Sequence, residues 1–596
     1  MSLVQRYQPA DRPTAGPAID SPSTSGTPPP GPAASTESKL DAALARLRGE
    51  ARAFALLPPR AKAALLRDVQ RRFFDVAPAM VELGCRNKRV DPASPLAGEE
   101  WFSGPAISIR ALRLLAAALD DIAASGAPRL DTRGITPLAN GRTRVPLVPY
   151  DNYDRALFPR WSCDAWLPTV QPAREVVERQ AAFYKRREPE GKLVLVLGAG
   201  NVGSISVLDV LHHSFNDGAV CLLKLSPVNA YLGPLLERAF APLVERGFLA
   251  FAYGGPEVGA YLANHAAVDA IHVTGSLETH DRIVWGPPGP EREARKRAGT
   301  PLLRKAVTSE LGNVSPVLVV PGEYSDRELD AAARSIAGMV THNASFNCNA
   351  AKMVVTARGF RQRGELLARI RRVFTETPTR VAYYPGAESR YTTLLSTAAP
   401  GDVERFGDAT AGKLPWTLVS NLDPASGSAL FRVEPFCSIL SETALPASDA
   451  GEFLSLATVF ANEQLWGSLN AMLIAPRRVE RAMAAEIERT IADLRYGTVA
   501  VNVWPACGYG LCSPPWGGYP GSTLENAGSG IGWGHNTSML DGVEKAVLRG
   551  PLLDVPEPFW FPGHRRLAEL GARLTAIEAA PSVGGVLGAA WAAFRR

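Results

Sequence analysis

Cysteine is scarce in this 596-residue chain, and the seven present are widely spaced: Cys85, Cys163, Cys221, Cys348, Cys437, Cys507 and Cys512, with no CxxC among them. An odd, scattered set argues against a disulfide framework and against a structural zinc site. Histidine is scarce too, at eight residues. His212 and His213 are adjacent and so do not share one helix face, and no H-E-x-x-H occurs, so no metal site is expected. Nowhere do about 18 apolar residues run uninterrupted, so no membrane span is expected. The opening MSLVQRYQPADRPT has no apolar h-region, so no secretory signal is expected and a cytoplasmic location is. The formal net charge is only +5, and no long basic run with interleaved aromatics occurs, so no nucleic-acid partner is expected.

What is present is an ordinary globular composition, 46% hydrophobic and 21% charged, long enough for several structural units. Residues 1–36 are rich in Pro, Ser, Thr, Gly and Ala and bury too little apolar surface to order, so they read as a disordered tail. Helical spacing follows over 38–57, 60–85 and 107–124. Asn140-Gly141 between two extended stretches in 133–165 signals a hairpin. From residue 192 short apolar runs alternate with helical ones. Strands are expected at 192–197, 219–225, 248–254 and 270–276, and helices at 203–215, 230–246 and 256–264. That alternation means a parallel sheet flanked by helices. A second α/β series runs from Pro316 to about 525, an extended segment covers 542–550, and an amphipathic stretch lies in the tail 556–596.

Gly198-Ala199-Gly200-Asn201-Val202-Gly203 follows a strand and opens a helix, so it fits G-x-G-x-x-G, where backbone N–H groups approach a pyrophosphate. The acid such a fingerprint needs at the end of the next strand is absent. Lys224-Leu225-Ser226-Pro227 stands there instead, so the simple dinucleotide reading fails its second test and a purely structural glycine turn stays open. Cys348 sits in NASFNCNA (343–350), a polar loop before a strand. Glu310 sits in SELGN (309–313), before the apolar run VSPVLVV.

GAGNVG, LLKLSP, HVTGSLET, SELGNVSP, NASFNCNA, VEPF and PPWGGYPGS, in this order and spacing, resemble the aldehyde dehydrogenase superfamily over roughly residues 40–550. The resemblance implies an α/β fold: a Rossmann-like cofactor domain, an α/β catalytic domain, and a bridging β element built from the 133–165 hairpin and the 540–550 strand. It implies domains at about 37–308 for NAD(P) binding and 309–525 for catalysis, with 526–555 returning to a bridging and oligomerisation strand and 556–596 a helical tail. It implies a homo-oligomer, dimer or tetramer. It implies Cys348 as nucleophile, Glu310 as the base that activates water, and Asn201 as oxyanion donor. For the cofactor, NAD or NADP, it implies Lys224 and Ser226 at the adenosine ribose, and Thr274, Gly275 and Ser276 opening the helix beneath the pyrophosphate. Glu434 and Phe436 are implied at the nicotinamide end, and Trp504 and Trp516 are candidates for the lining of a substrate tunnel, with core packing the default for any Trp. The implied reaction oxidises an aldehyde to a carboxylic acid through a cysteine thiohemiacetal and thioester. His280, Asn313, Ser345, Phe346, Cys437 and Ser438 depart from the family's usual pattern. A CoA-acylating dehydrogenase and a non-catalytic binding protein on this fold are the alternatives. The tail residues Leu567, Leu570, Leu574 and Trp591 are expected to pack on protein, or else on a membrane surface.

Overall fold

Short branched-apolar strands alternating with amphipathic helices build two largely parallel sheets, in two compact units of a computed structural model that describes residues 31–594. The larger unit takes the described residues up to Leu311, then Cys507–Ala546 and the segment from His564 onward. The smaller takes Gly312–Ala506 and Val547–Gly563. The disorder expected for 1–36 lies outside the described residues as far as residue 30. Ser35 already donates its N–H to Tyr253 O.

In the larger unit, α1 (Glu37–Leu56) buries Leu40, Leu44, Leu47, Ala51 and Phe54 along one stripe. Helix α2 (Pro59–Asn87) begins on a proline, whose missing N–H is no loss in a first turn. Helix α3 (Ile107–Ser125) stops at Gly126 in the left-handed region, φ 87°. The stretch Ala97–Ser125 is long and apolar enough to cross a membrane by length and composition, but most of it is buried inside the unit. It carries Arg110, whose guanidinium meets Asp154 at 2.8 Å and Glu578 at 2.7 Å. Strands β1 (Thr136–Pro137), β2 (Thr143–Val148) and β3 (Ser162–Leu167) form the expected antiparallel ribbon, turned at Gly141 with φ 80°. Its apolar face packs Val145, Leu147, Ala165 and Leu167 against Leu540 and Val543.

Next come β4 (Leu193–Leu197), α4 (Ile205–Phe215), β5 (Val220–Lys224), β6 (Leu249–Ala252), β7 (Ala270–Gly275), α5 (Leu277–Val284) and β8 (Ala306–Leu311). The parallel order is β8-β7-β4-β5-β6. The single helix expected over 230–246 is broken into Ala230–Leu232, Gly233–Ala239 and Ala241–Val244. Pro234 and Pro242 each remove an interior N–H donor and so restart the helix.

The smaller unit contains β9 (Pro316–Val319), α6 (Asp326–Thr341), β10 (Met353–Ala357), β11 (Val403–Phe406), β12 (Trp416–Leu422), β13 (Ile439–Leu445), β14 (Asn470–Ile474) and β15 (Thr498–Val501). They lie in the order β15-β14-β9-β10-β13-β12-β11, parallel except for the last pair. Helix α6 is started by a capping box, Ser325 with Glu328.

The chain leaves this unit at Ala506, earlier than the expected 525. Residues 507–546 belong to the larger unit because β16 (Gly530–Ile531) pairs antiparallel with β8, Gly530 opposite Glu310. Gly530 has φ 123°, and a Cβ there would collide with the Ser309 backbone, so only glycine fits. The C-terminal residues are also part of the larger unit. Helix α7 (Leu567–Ala579) buries Leu567 and Leu570, and its Glu578 accepts from Arg110 and Arg113. Helix α8 (Val583–Phe594) leaves Leu587, Trp591 and Phe594 exposed.

Candidate functional site

The glycines of GAGNVG are required first by protein packing. A Cβ at Gly198 would overlap Ser206, and one at Gly200 would stand 2.6 Å from Ser226 Oγ and 2.7 Å from Val228 Cβ. The turn is pinned by Gly198 N–H donating to Lys224 O at 3.1 Å and Asn229 Nδ2 donating to Ala199 O at 2.8 Å. It delivers Asn201, which is buried, to the mouth of α4. Lys88, a buried lysine outside every motif, donates from Nζ to Asn201 O at 3.1 Å and to Glu100 Oε1 at 2.7 Å, fixing the Asn201 backbone.

Lys224 ends β5 and is almost wholly buried; burial lowers its ammonium to about 8, with Glu257 acting the other way. Ser226 follows it in the turn beside Gly200. Ser276 caps α5, its Oγ accepting from Thr279 N–H at 3.2 Å. Nothing stands within 4 Å of the place a Gly275 Cβ would take, so the strand-to-helix turn is open there. An ammonium, a hydroxyl and an open helix start suit ribose hydroxyls and a phosphate. Thr274 is expected there through its backbone, and its hydroxyl points elsewhere. Its Oγ1 donates to Asp209 Oδ2 at 2.9 Å and meets His272 Nε2 at 3.1 Å, because alternate residues of β7 face opposite sides of the sheet. His280, which stands at a departure from the family pattern, is buried with its Nδ1 3.3 Å from Asp281 Oδ1.

Glu310 precedes β9, as expected, but it also belongs to a strand the sequence did not suggest. It lies inside β8, paired with Thr274 of β7, and is buried. The alternating polar run AVTSEL is short and hid this strand. Around the same sheet face stand Asp209 of α4, His272, Thr308 and Tyr509. Burial raises Asp209 to about 7, against the Thr274 hydrogen bond and the His213 charge that lower it.

In the smaller unit, α6 runs into the loop that carries Cys348. Asn343, Ala344 and Ser345 have φ of 52°, 53° and 71°, three consecutive non-glycine residues in the left-handed region. Such a turn is strained and persists only where its surroundings hold it. Here Asn343 Nδ2 donates to Phe346 O at 3.1 Å, and Lys352 Nζ donates to Ser345 O at 3.1 Å. Asn347 Nδ2 meets His342 Nδ1 at 3.2 Å. Beyond the turn, Ser315 Oγ donates to Cys348 O at 3.2 Å, and Trp504 Nε1 to Asn349 O at 2.7 Å. Trp504 is therefore a buried brace of the cysteine loop. Trp516 is buried too, edge-on to Tyr509 in the larger unit.

Cys348 is partly exposed; the other six cysteines are buried. Burial pushes the thiols of Cys163, Cys221, Cys437 and Cys512 up, which keeps them protonated and inert. The buried Lys352 ammonium lies in the field of Glu434, Cys437 and Cys348; burial lowers its pKa and these groups oppose the fall. Glu434 lies against Gly312, where any Cβ would overlap its carboxylate. Phe436 packs in an aromatic cluster with Phe346 and Tyr384, ring centres 5.7 and 5.0 Å away. Lys88, Lys352 and Asp209 escaped the sequence reading because none belongs to a motif, and Ser315, inside SELGNVSP, was not singled out there. Only Lys352, a lysine four residues past the cysteine, offered a signal.

Residues 161–380 match the model of the aldehyde dehydrogenase family. That stretch includes Asn201, Lys224, Thr274, Glu310 and Cys348, and stops short of Glu434. Among solved structures the chain is similar to an NAD-dependent aldehyde dehydrogenase from Sinorhizobium meliloti, with TM-score 0.57, 18% identity, and 85% of this chain and 86% of that one covered. It is also similar to an NADP-dependent glyceraldehyde-3-phosphate dehydrogenase from Bacillus halodurans, with TM-score 0.55, 16% identity, and coverage of 86% and 92%. A third is aldehyde dehydrogenase C from Pseudomonas syringae, solved with NAD+ and octanal, with TM-score 0.56, 15% identity, and coverage of 87% and 89%. At these identities the likeness is one of fold.

Proposed function

We propose, from the match of residues 161–380 to the aldehyde dehydrogenase family and the shared fold, that this chain is a divergent aldehyde dehydrogenase that oxidises an aldehyde to a carboxylic acid with Cys348 as nucleophile and NAD or NADP as acceptor. One observation carries this reading: of seven cysteines, Cys348 alone is reachable, and it sits on a strained, many-times-braced turn. A reactive thiol needs access, a fixed position and nearby positive charge, and the Lys352 ammonium supplies the last.

In this reading the Cys348 sulfur adds to the aldehyde carbon, and the Asn201 amide and the Cys348 N–H donate to the resulting oxyanion. One such donor is worth roughly 3–4 kcal/mol of barrier. The bound nicotinamide supplies the acceptor for the hydride that leaves that carbon. Lys224 and Ser226 bind the adenosine ribose, Gly275 and Ser276 the pyrophosphate, and Glu434 the nicotinamide ribose. Glu310 then takes a proton from water as its oxygen attacks the thioester, and the C–S electrons return to Cys348. Burial suits a carboxylate to that role.

The test is absorbance at 340 nm with NAD or NADP and a panel of aliphatic and aromatic aldehydes, for the wild type, Cys348→Ala and Glu310→Gln. Turnover without CoA, abolished in Cys348→Ala and reduced to a single-turnover burst in Glu310→Gln, is the expected result. Turnover only with added CoA would reassign the protein as an acylating enzyme. A wild type that reduces neither nucleotide would overturn the reading.

A further inference from the structure

Hydrolysis at each turnover leaves a proton on Glu310, which is buried and must lose it before the next cycle. Within the larger unit an unbroken line of side chains leads from its neighbourhood to the surface. In the parallel pair β7–β8, Thr274 stands opposite Glu310 and His272 opposite Thr308. Side chains alternate along a strand, so these four share one sheet face, the face that α4 covers. Asp209 of α4 reaches the same space as Glu310: a Cβ on Gly534 would lie 3.0 Å from Glu310 Oε2 and 3.8 Å from Asp209 Oδ1. The two carboxylate oxygens therefore lie less than about 7 Å apart, a gap that one or two waters span.

From Asp209 the contacts run outward. Asp209 Oδ2 pairs with Thr274 Oγ1 at 2.9 Å, and Thr274 Oγ1 with His272 Nε2 at 3.1 Å. His272 Nδ1 pairs with Thr308 Oγ1 at 2.9 Å, and Thr308 Oγ1 reaches His213 Nε2 at 3.5 Å. His213 Nδ1 pairs with Asp217 Oδ2 at 2.9 Å. The Asp209 side chain is 2% exposed and the His272 side chain 0%, while Asp217 is 52% exposed, so the line joins the interior to solvent.

We propose that Asp209, Thr274, His272, Thr308, His213 and Asp217 form a proton exit path for Glu310, resting on the assignment of Glu310 as the hydrolytic base. Each hydroxyl and each imidazole holds one proton, accepts one from the inner side and passes its own outward. With His272 carrying its proton on Nδ1, one proton enters at Asp209, one leaves from Asp217, and no group gains or loses charge overall. The Glu310 carboxylate is restored and the released proton joins bulk water.

Dilution into bulk water at neutral pH, not the basicity of the end groups, sets the direction. Burial keeps Asp209 ready to hold a proton near neutrality, at about 7, and keeps His272 neutral. Asp217 ends well on the acid side, at about 2. Burial alone would raise it, and the His213 hydrogen bond, with Lys192 nearby, outweighs that. The other titratable groups packed on the line are His212, its ring 5.2 Å from His213, and Tyr509, with His535 packed on the Tyr509 ring in turn. Burial holds His212 neutral, at about 4, and pushes the Tyr509 phenol up, so neither competes for the proton.

An activated ester such as p-nitrophenyl acetate acylates a reactive thiol without nicotinamide, so the full chain can be tested without cofactor. The nitrophenolate burst counts acylated Cys348 and the later linear phase reports hydrolysis. Thr308→Val breaks the line between the two histidines with little change of shape, and Asp217→Asn breaks it at the surface, where folding is not at stake. The expected result is an unchanged burst with a linear phase about tenfold slower in dilute buffer, a larger solvent deuterium effect, and recovery as phosphate is added. A linear phase like the wild type's in both variants, or a slow phase that phosphate does not restore, would overturn the path. A wild type with no burst removes the Cys348 nucleophile and this proposal with it; a burst with failed rescue removes the path alone.

Discussion

Gly312→Ala separates the binding of cofactor from the stability of the protein. Gly312 is not in the left-handed region, so an alanine backbone fits without strain. Its Cβ, however, would lie 2.6 Å from Glu434 Oε1, and the rest of the carboxylate is closer still. Ordinary contact is nearer 3.5–4 Å, so the Glu434 head must swing away by an ångström or more. A carboxylate at the end of a flexible side chain can do so cheaply, and the folded protein should lose little. The hydroxyl pair that Glu434 is assigned to hold would lose a hydrogen bond to a charged group, about 1.5–3 kcal/mol. That corresponds to a Kd for NAD or NADP raised roughly 10- to 150-fold. Fluorescence titration measures it, with urea melts as the control. Unchanged affinity in a variant with unchanged stability would refute the role of Glu434.

Asp209→Asn should change the pH dependence of stability. The Asp209 carboxyl is raised from 3.8 to about 7, so between those values the folded protein holds a proton the unfolded chain has lost. Wild-type stability therefore falls as pH rises through that window and the Asp209 share is constant above it. At about 1.4 kcal/mol per unit the difference reaches at most about 4 kcal/mol, and urea melts at pH 4.5 and 8 should show the variant missing that slope; identical slopes would refute the burial argument. Arg110→Met leaves the buried carboxylates of Asp154 and Glu578 without their shared guanidinium. It should cost about 3–5 kcal/mol in urea melts, whereas Arg174→Met, at an exposed pair, should leave the melt unchanged.

Legibility followed range along the chain. The α/β alternation, the Asn140-Gly141 hairpin and the starts of α1, α2 and α3 were readable because period, caps and turn residues are local signals. Cys348 and Glu310 were singled out by motif, yet the strand that holds Glu310 was missed, because polar Thr308 and Ser309 mask a short buried β8. The Thr274 hydroxyl contact with Asp209 was not legible, because it depends on the pleat of β7 and the packing of α4. The line from Asp209 to Asp217 needs the β7–β8 register and the packing of α4, neither of which has a local signature. His212 and His213 were dismissed as ligands for want of a shared face. One of them, His213, is held by Thr308 and Asp217. The end of the smaller unit at Ala506 was unreadable because it depends on where β16 pairs.

The larger unit is drawn from three stretches of chain, and the smaller is threaded between them. A ribosome finishes the order differently from the fold. When Leu311 emerges, β8 still lacks its β16 neighbour, and Arg110 and Arg113 lack the Glu578 that neutralises them. At about 5–20 residues per second, making 312–563 takes on the order of ten to fifty seconds. Until residue 531 is made the new chain carries an open sheet edge, and until Glu578 is made Arg110 and Arg113 have only Asp154 and Asp151 as acidic partners, while the smaller unit grows nearly in one piece. Loss of the last thirty residues by a premature stop would leave both guanidiniums without Glu578 permanently.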